Sequence, residues 1–238
     1  MVSIATHSDA AAPAVEQSIR FELDDVVLDG DLAIPAGATD IVVVAHGSDS
    51  SRHPPRHRHV AAHLHTAGLA TLLIGLLTET EEAIERRSTR VRVDLERSAD
   101  RLVGITRRLG DERLTADLKL GYFGAGTGGG AALVAAARIS ERVDAVVSRG
   151  GRPDLTGDAL AGVRAPTLLI VGGDDAPAVA LNYEALVRLQ APIKNLVVVP
   201  GASHLFEEPG KLDEASELAA DWFSRHLAPS SRCRTSPK

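Results

Sequence analysis

The chain has 238 residues, of which 26 are Lys or Arg and 32 are Asp or Glu, for a formal net charge of −6 with neutral histidines. A hydrophobic share of 44% beside a charged share of 24% excludes wholesale disorder, collagen-like repeats and disulfide scaffolds, and this length suits one domain with its own core. Aromatics at 3% and an acidic balance leave no stripe for nucleic acid, and a single Cys233 cannot form an intrachain disulfide, which suits a cytoplasmic protein.

Residues 1–18 have neither a basic start nor a continuous apolar run, so they are expected to be a flexible arm and not a signal peptide. Phe21–Val27 and Gly30–Ile34 predict an antiparallel hairpin that turns at Asp29-Gly30. Ile41–Ala45 is a continuous apolar run of the kind found in covered parallel strands. There follow a helix over His57–Ala67, a strand over Ala70–Gly75, a solvated acidic helix from Glu79 to Glu85, and a long helix over Val93–Leu109 with Leu95, Ala99, Leu102, Thr106 and Leu109 on one stripe. The alternation continues with strand Leu118–Phe123, helix Gly128–Ile139, strands Ala145–Ser148 and Pro166–Gly172, helix Ala180–Leu189, strand Asn195–Val199 and helix Leu212–His226. This is an α/β pattern with a mostly parallel, doubly wound sheet and antiparallel first strands. It predicts one domain over 19–228 and a disordered tail over 229–238. The apolar run Ala70–Leu77 is far shorter than the roughly 20 residues that cross a bilayer, so no membrane partner is expected.

In such sheets ligands bind beyond the carboxyl ends of the strands. Four loops stand there: His46-Gly47-Ser48-Asp49, Gly124-Ala125-Gly126-Thr127-Gly128, Gly172-Gly173-Asp174-Asp175 and Gly201-Ala202-Ser203-His204. Glycine, small, central residue, small, glycine between a strand and a helix, then an acid loop, then a histidine loop, resembles the α/β-hydrolases, and within them the dienelactone-hydrolase-like branch. The resemblance spans about Phe21 to Leu227. It implies an α/β-hydrolase fold, His204 as general base, Asp175 as the acid that orients it with Asp174 as its rival, and the backbone amides of Thr127 and Ser48 as the oxyanion hole. It implies a small ester, lactone or related carbonyl compound as substrate and no cofactor.

At the nucleophile position stands Gly126, which carries no oxygen or sulfur. Three accounts are open: a substitution made in the laboratory, a natural pseudoenzyme that binds ligand without turning it over, or a natural enzyme whose reaction needs no covalent intermediate, such as a cyclisation, elimination or isomerisation driven by His204 and Asp175. Asp49, where the family usually continues with glycine, would set a carboxylate beside the oxyanion hole and oppose a developing negative charge. Gly129 and Gly130, where alanine is common in the family, read as drift at the elbow helix and favour a natural loss of the serine.

Gly124, Gly126 and Gly129 also satisfy G-x-G-x-x-G, but the acid that should end the next strand is missing, because Asp144 precedes that strand. Six of the nine histidines fall between His46 and His65. His59 and His63 have the spacing of a two-histidine metal site with no third ligand nearby except Asp49, so a solvated polar face is expected and no metal. Arg52, Arg56 and Arg58 could hold a substrate carboxylate or phosphate, or else bond loop carbonyls. Arg149, in Ser148-Arg149-Gly150-Gly151-Arg152, follows another strand into the same cleft. His46, Asp49, Arg52 and Arg149 are thus the expected substrate-binding residues. The short stretch from Arg152 to Pro166 leaves no room for a lid domain. The expected partner is a small-molecule substrate, with a homodimer left open.

Overall fold

The computed structural model describes residues 14–47, 55–85 and 91–227, with the backbone alone for Glu82, Glu85 and residues 91–94. Strands β1 (Val15–Glu22) and β2 (Val27–Ile34) pair antiparallel around a tight turn closed by the Leu23 N–H on the Val26 carbonyl at 2.9 Å. The turn is therefore not at Asp29-Gly30. Gly30 lies inside β2, opposite Ile19 and Ile74, where a Cβ would come within 2.9 Å of the Leu72 side chain; the glycine serves close packing there. Strand β1 also takes in Val15–Ser18, which the sequence pattern assigns to the arm.

The chain continues through β3 (Asp40–His46), α1 (Pro55–Thr66), β4 (Ala70–Gly75), α2 (Glu79–Glu85), α3 (Val91–Asp111), β5 (Lys119–Ala125), α4 (Thr127–Arg138), β6 (Ala145–Arg149), β7 (Thr167–Gly172), α5 (Ala176–Arg188), β8 (Lys194–Val199) and α6 (Lys211–Leu227). The eight strands form one sheet in the order β1-β2-β4-β3-β5-β6-β7-β8, parallel from β4 onward. This is the α/β-hydrolase architecture with antiparallel strands at one edge. Because β3 is buried along its whole length, helices must cover both faces. On one face Leu95, Leu102 and Leu109 of α3 pack with the alanines of α4 and with Ala185 of α5. On the other, Val60 and Leu64 of α1 meet Trp222, Phe223 and Leu227 of α6. Two short 3-10 turns, Pro153–Thr156 and Ala159–Gly162, are the only regular structure between β6 and β7, so no lid domain is inserted there.

Register brings the site together. His46 pairs with Gly75 and with Ala125, and Ala125 pairs with Arg149, so the carboxyl ends of β3, β4, β5 and β6 end in line. The loops that follow them open on the same rim.

Helix α2 is not simply solvated. Thr78 and Glu81 form a reciprocal cap: the Thr78 N–H donates to Glu81 Oε2 at 2.9 Å and the Glu81 N–H to Thr78 Oγ1 at 3.2 Å. Glu81 also accepts from the buried Arg101, which donates to Asp25 at 2.6 Å and to the Leu76 carbonyl at 2.8 Å. The bond from Arg101 holds the Glu81 carboxyl down at about 2, against an ordinary 4.5. Glu81→Gln should cost about 2 kcal/mol at neutral pH, less than the 3–5 of a fully buried broken pair because Asp25 still faces Arg101. A group whose folded pKa is depressed stabilises above its unfolded value, so this contribution fades as pH falls from 4.5 toward 2. Urea denaturation at pH 7 and at acid pH should show the parent and Glu81→Gln converging on acidification; a constant gap would refute the assignment.

Candidate active site

The turn from β5 into α4 places Gly126 at φ 57°, ψ −126°, a conformation that side-chain-bearing residues adopt only at a cost. Its N–H donates to the Arg149 carbonyl at 3.2 Å, and its own carbonyl accepts from the Gly129 N–H at 3.1 Å and the Arg152 N–H at 3.2 Å. The backbone is thus held from both sides. A Cβ at this position would find nothing within 4 Å.

The neighbouring glycines behave differently. A Cβ on Gly124 would strike the Gly128 backbone, one on Gly129 would come within 2.5 Å of Ser148 Oγ, and one on Gly130 within 3.0 Å of the Arg152 carbonyl. A side chain at Gly129 would thus crowd Ser148 of β6, and one at Gly130 would crowd Leu95 of α3 and the loop after β6. Close contacts at Gly124 and Gly129 and the positive φ of Gly126 together account for the G-x-G-x-x-G spacing. Asp144 bonds the Leu120 backbone N–H at 3.1 Å, at the amino end of the sheet and away from the rim.

Two loops further on, His204 Nδ1 lies 2.7 Å from Asp175 Oδ2. A carboxylate only accepts, so Nδ1 carries the proton and Nε2 is left as the accepting nitrogen of the neutral ring. The other Asp175 oxygen accepts from the Ala178 N–H at 3.2 Å and caps α5, so one carboxylate starts a helix and orients an imidazole. Asp174 is exposed, with its backbone N–H on the Ala202 carbonyl, and does not take this place. The His204 loop is secured by the Ser203 N–H donating to Glu208 at 3.0 Å, a bond that lowers the Glu208 pKa. It is secured again by Phe206, which holds a positive φ of 58° with its side chain fully buried. Burial of the ring offsets the backbone strain.

A cavity of about 370 Å³ opens on this rim, lined by Gly126, Thr127 and His204 together with His46, His57, Arg56, Arg149 and Arg152. In a chain of net charge −6, no carboxylate among the described residues lines it. Arg152 is paired with Asp154 at 2.8 Å and Arg56 with Glu207 at 3.2 Å. Arg149 differs. It is buried, its guanidinium lies 5.5 Å from the Phe206 ring centre, and its Nη1 has no hydrogen-bond partner among the described residues. Burial pushes its pKa down to about 10, with Arg56 adding to the effect, so it stays charged at neutral pH.

His46 and His57 stack at 4.7 Å between ring centres. Burial first, then His46, Arg149 and Arg56, push His57 down to about 3, so this ring is neutral in the folded protein. As pH drops below 6.5 the unfolded chain takes a proton that the folded one refuses, so stability should decline from there toward pH 3. His57→Gln should flatten that decline in a series of thermal melts; an unchanged profile would mean that His57 is not the group responsible.

Of the residues expected from sequence, the structure brings Gly126, Thr127, His46, Arg149 and His204 around one cavity, with Asp175 behind His204. Ser48, Asp49 and Arg52 lie outside the described residues. His59 and His63 do not form a merely solvated face: both turn toward Asp213 of α6, with His59 Nε2 at 2.7 Å and His63 Nε2 at 3.5 Å from Asp213 Oδ1. His57 stands out in the sequence only as one of the clustered histidines, whereas Leu205-Phe206 reads as the apolar pair that anchors the His204 turn, and Phe206 is buried there.

No family model matches the chain. Two proteins of Mycobacterium tuberculosis strains, provisionally named phosphoribosyl transferases, are each 51% identical over 221 residues, 92% of this chain. The chain spans about half (49%) of the length of these relatives, and their name attaches to the whole protein. Among solved structures, a dienelactone hydrolase from Anabaena variabilis is 55% identical, with a TM-score of 0.85 over 91% of this chain and 100% of that one. The fold is shared with a lidless α/β serine hydrolase from Xanthomonas campestris, at 21% identity, 91% and 97% coverage and a TM-score of 0.68. It is shared also with Est1E from Butyrivibrio proteoclasticus, at 14% identity, 89% and 99% coverage and a TM-score of 0.72. Among the described residues no helix is long and apolar enough to cross a membrane. With 55% identity across the full length of the solved Anabaena variabilis relative, the chain belongs to the dienelactone hydrolase family.

Proposed function

We propose that this domain is an enzyme acting on a small ester, lactone or related carbonyl compound that carries an anionic group, and that it does so without a covalent acyl intermediate. The observation that carries the reading is the His204–Asp175 bond of 2.7 Å at a cavity that His204 lines together with Gly126. An oriented imidazole can take a proton from a substrate carbon or hydroxyl, or from a water attacking the carbonyl. The N-terminus of α4 at Thr127 supplies backbone N–H groups toward a developing oxyanion, with Ser48 as the second donor. Gly126 keeps the elbow shape while removing the nucleophile, so substrate or water reaches His204 directly. Arg149 receives the anionic group, because its buried guanidinium retains a donor that no described residue uses.

The test is a panel of small esters and lactones, each offered with and without a carboxylate, against the parent and Arg149→Gln. Loss of a charged hydrogen bond should raise KM for the anionic members by roughly 10- to 100-fold and leave the neutral ones nearly unchanged. If both classes shift together, Arg149 supports the fold of the loop and does not bind substrate.

A further inference from the structure

Helix α1 carries His59 and His63 one turn apart, and the first turn of α6 brings Asp213 against them from the other end of the sequence. One ligand atom from each of the three lies within 4.8 Å of the other two. We propose that His59, His63 and Asp213 bind a divalent transition-metal ion of the zinc type at the seam between α1 and α6, apart from the cavity.

Convergence of ligand atoms argues for a cation at this point. His63 Nδ1 sits 3.0 Å from the His59 carbonyl oxygen, which can only accept, so Nδ1 carries a hydrogen. That leaves Nε2 as the ring atom turned to Asp213, 3.5 Å from Oδ1. His59 Nε2 stands 2.7 Å from the same oxygen. Two imidazole nitrogens and one carboxylate oxygen, three atoms able to ligate, thus converge on one spot. A metal-binding histidine ordinarily donates its other N–H to a carbonyl or carboxylate, as His63 does here.

The donor set also selects the ion. Two imidazole nitrogens and one carboxylate oxygen suit zinc and its neighbours, whereas calcium and magnesium prefer oxygen alone. Tetrahedral zinc bonds of about 2.0–2.2 Å set ligand atoms about 3.4 Å apart, so His59 Nε2 and Asp213 Oδ1 would open from 2.7 Å while His63 Nε2 already stands 3.5 Å from that oxygen, and a fourth position remains toward solvent on the partly exposed rings.

The seam itself gives the ion a structural consequence. Helix α1 also carries Arg56 and His57 of the cavity wall, and α6 follows the loop that carries His204, Phe206 and Glu207. Arg56 and Glu207 already bridge these two segments at 3.2 Å. A bound ion pins α1 to the start of α6 and so holds the two sides of the cavity mouth.

The full chain, freed of metal by a chelator and dialysed, should bind one Zn²⁺ in calorimetry and gain melting temperature on its addition. Co²⁺ should give the visible absorption of a four-coordinate nitrogen and oxygen site. His63→Ala and Asp213→Asn should each weaken Zn²⁺ at least as much as loss of an outer-shell partner does, roughly 10- to 100-fold, and abolish the Co²⁺ spectrum. His226→Ala, at the far end of α6, should leave both unchanged and controls for general histidine binding. All three changes lie on helix surfaces, and circular dichroism of the metal-free variants checks that they fold. Absence of saturable binding in the parent, or equal affinity in the parent, His63→Ala and Asp213→Asn, would overturn the proposal.

Discussion

Gly126→Ser should convert this chain into an esterase, with turnover of a small activated ester raised by roughly 10³-fold or more over the parent. Breaking a catalytic triad in a serine hydrolase costs up to about 10⁶ in kcat and leaves 10³- to 10⁴-fold over water, so if Gly126 stands at the nucleophile position, as proposed, a serine there should recover a large part of that gap. The structure sets no steric obstacle, since a Cβ at Gly126 meets nothing within 4 Å, and the acid and base are already bonded at 2.7 Å. The elbow stays held by its bonds to Arg149, Gly129 and Arg152. A cost accompanies the gain: serine at φ 57° carries strain of about 1–3 kcal/mol, so the variant should melt several degrees lower. Stopped-flow release of a chromogenic alcohol and intact mass after quenching check both parts, the second by an acyl adduct on the serine variant alone. Equal turnover by the two proteins with no adduct on either would show that Gly126 does not occupy a nucleophile elbow.

Much of the architecture was legible because hydrophobic periodicity is a local property. The buried run of β3, the α3 stripe and the strand–helix alternation each appear where the pattern places them. The hairpin turn was misplaced because Gly30 has two meanings that sequence cannot separate. Asp-Gly is a strong turn signal, yet here the glycine makes room for Leu72 and Ile74 of a strand forty residues away, and only the sheet order shows that. Helix α2 was misjudged for a related reason. Its acids look solvated until Arg101, twenty positions later, is seen to reach back to Glu81.

The site divides along the same line. Gly126, Asp175 and His204 lie in the loops that begin where β5, β7 and β8 end, so strand periodicity locates those loops and register aligns them. Arg149 was visible as a rim residue, but its burial and its Phe206 platform were not, because they depend on a positive-φ turn at Phe206 that nothing in Leu205-Phe206 announces. Asp213 was invisible as a partner of His59 and His63, since 154 and 150 positions separate it from them and α1 and α6 meet only on the folded sheet. Long-range convergence is what the pattern of a single segment does not carry.

His204→Ala separates an enzyme without a nucleophile from a binder. If His204 takes a proton in the reaction, its removal should lower turnover of a responsive lactone or ester by roughly 10²- to 10⁴-fold, the range that loss of a general base costs. Affinity should barely change, because binding of the anionic group rests on Arg149. Asp175→Asn should reduce turnover in the same direction by releasing the imidazole from its orientation. That variant is a clean test, since asparagine caps a helix as well as aspartate does and α5 should keep its start at the Ala178 N–H. Asp174→Asn, at an exposed residue that does not bond His204, should leave rate and affinity as they are. Calorimetry with a carboxylate-bearing lactone and product analysis on the same four proteins give both readouts. Full turnover in His204→Ala would place the proton transfer elsewhere, whereas tight binding with no product from any of the four would make the domain a ligand-binding member of its family.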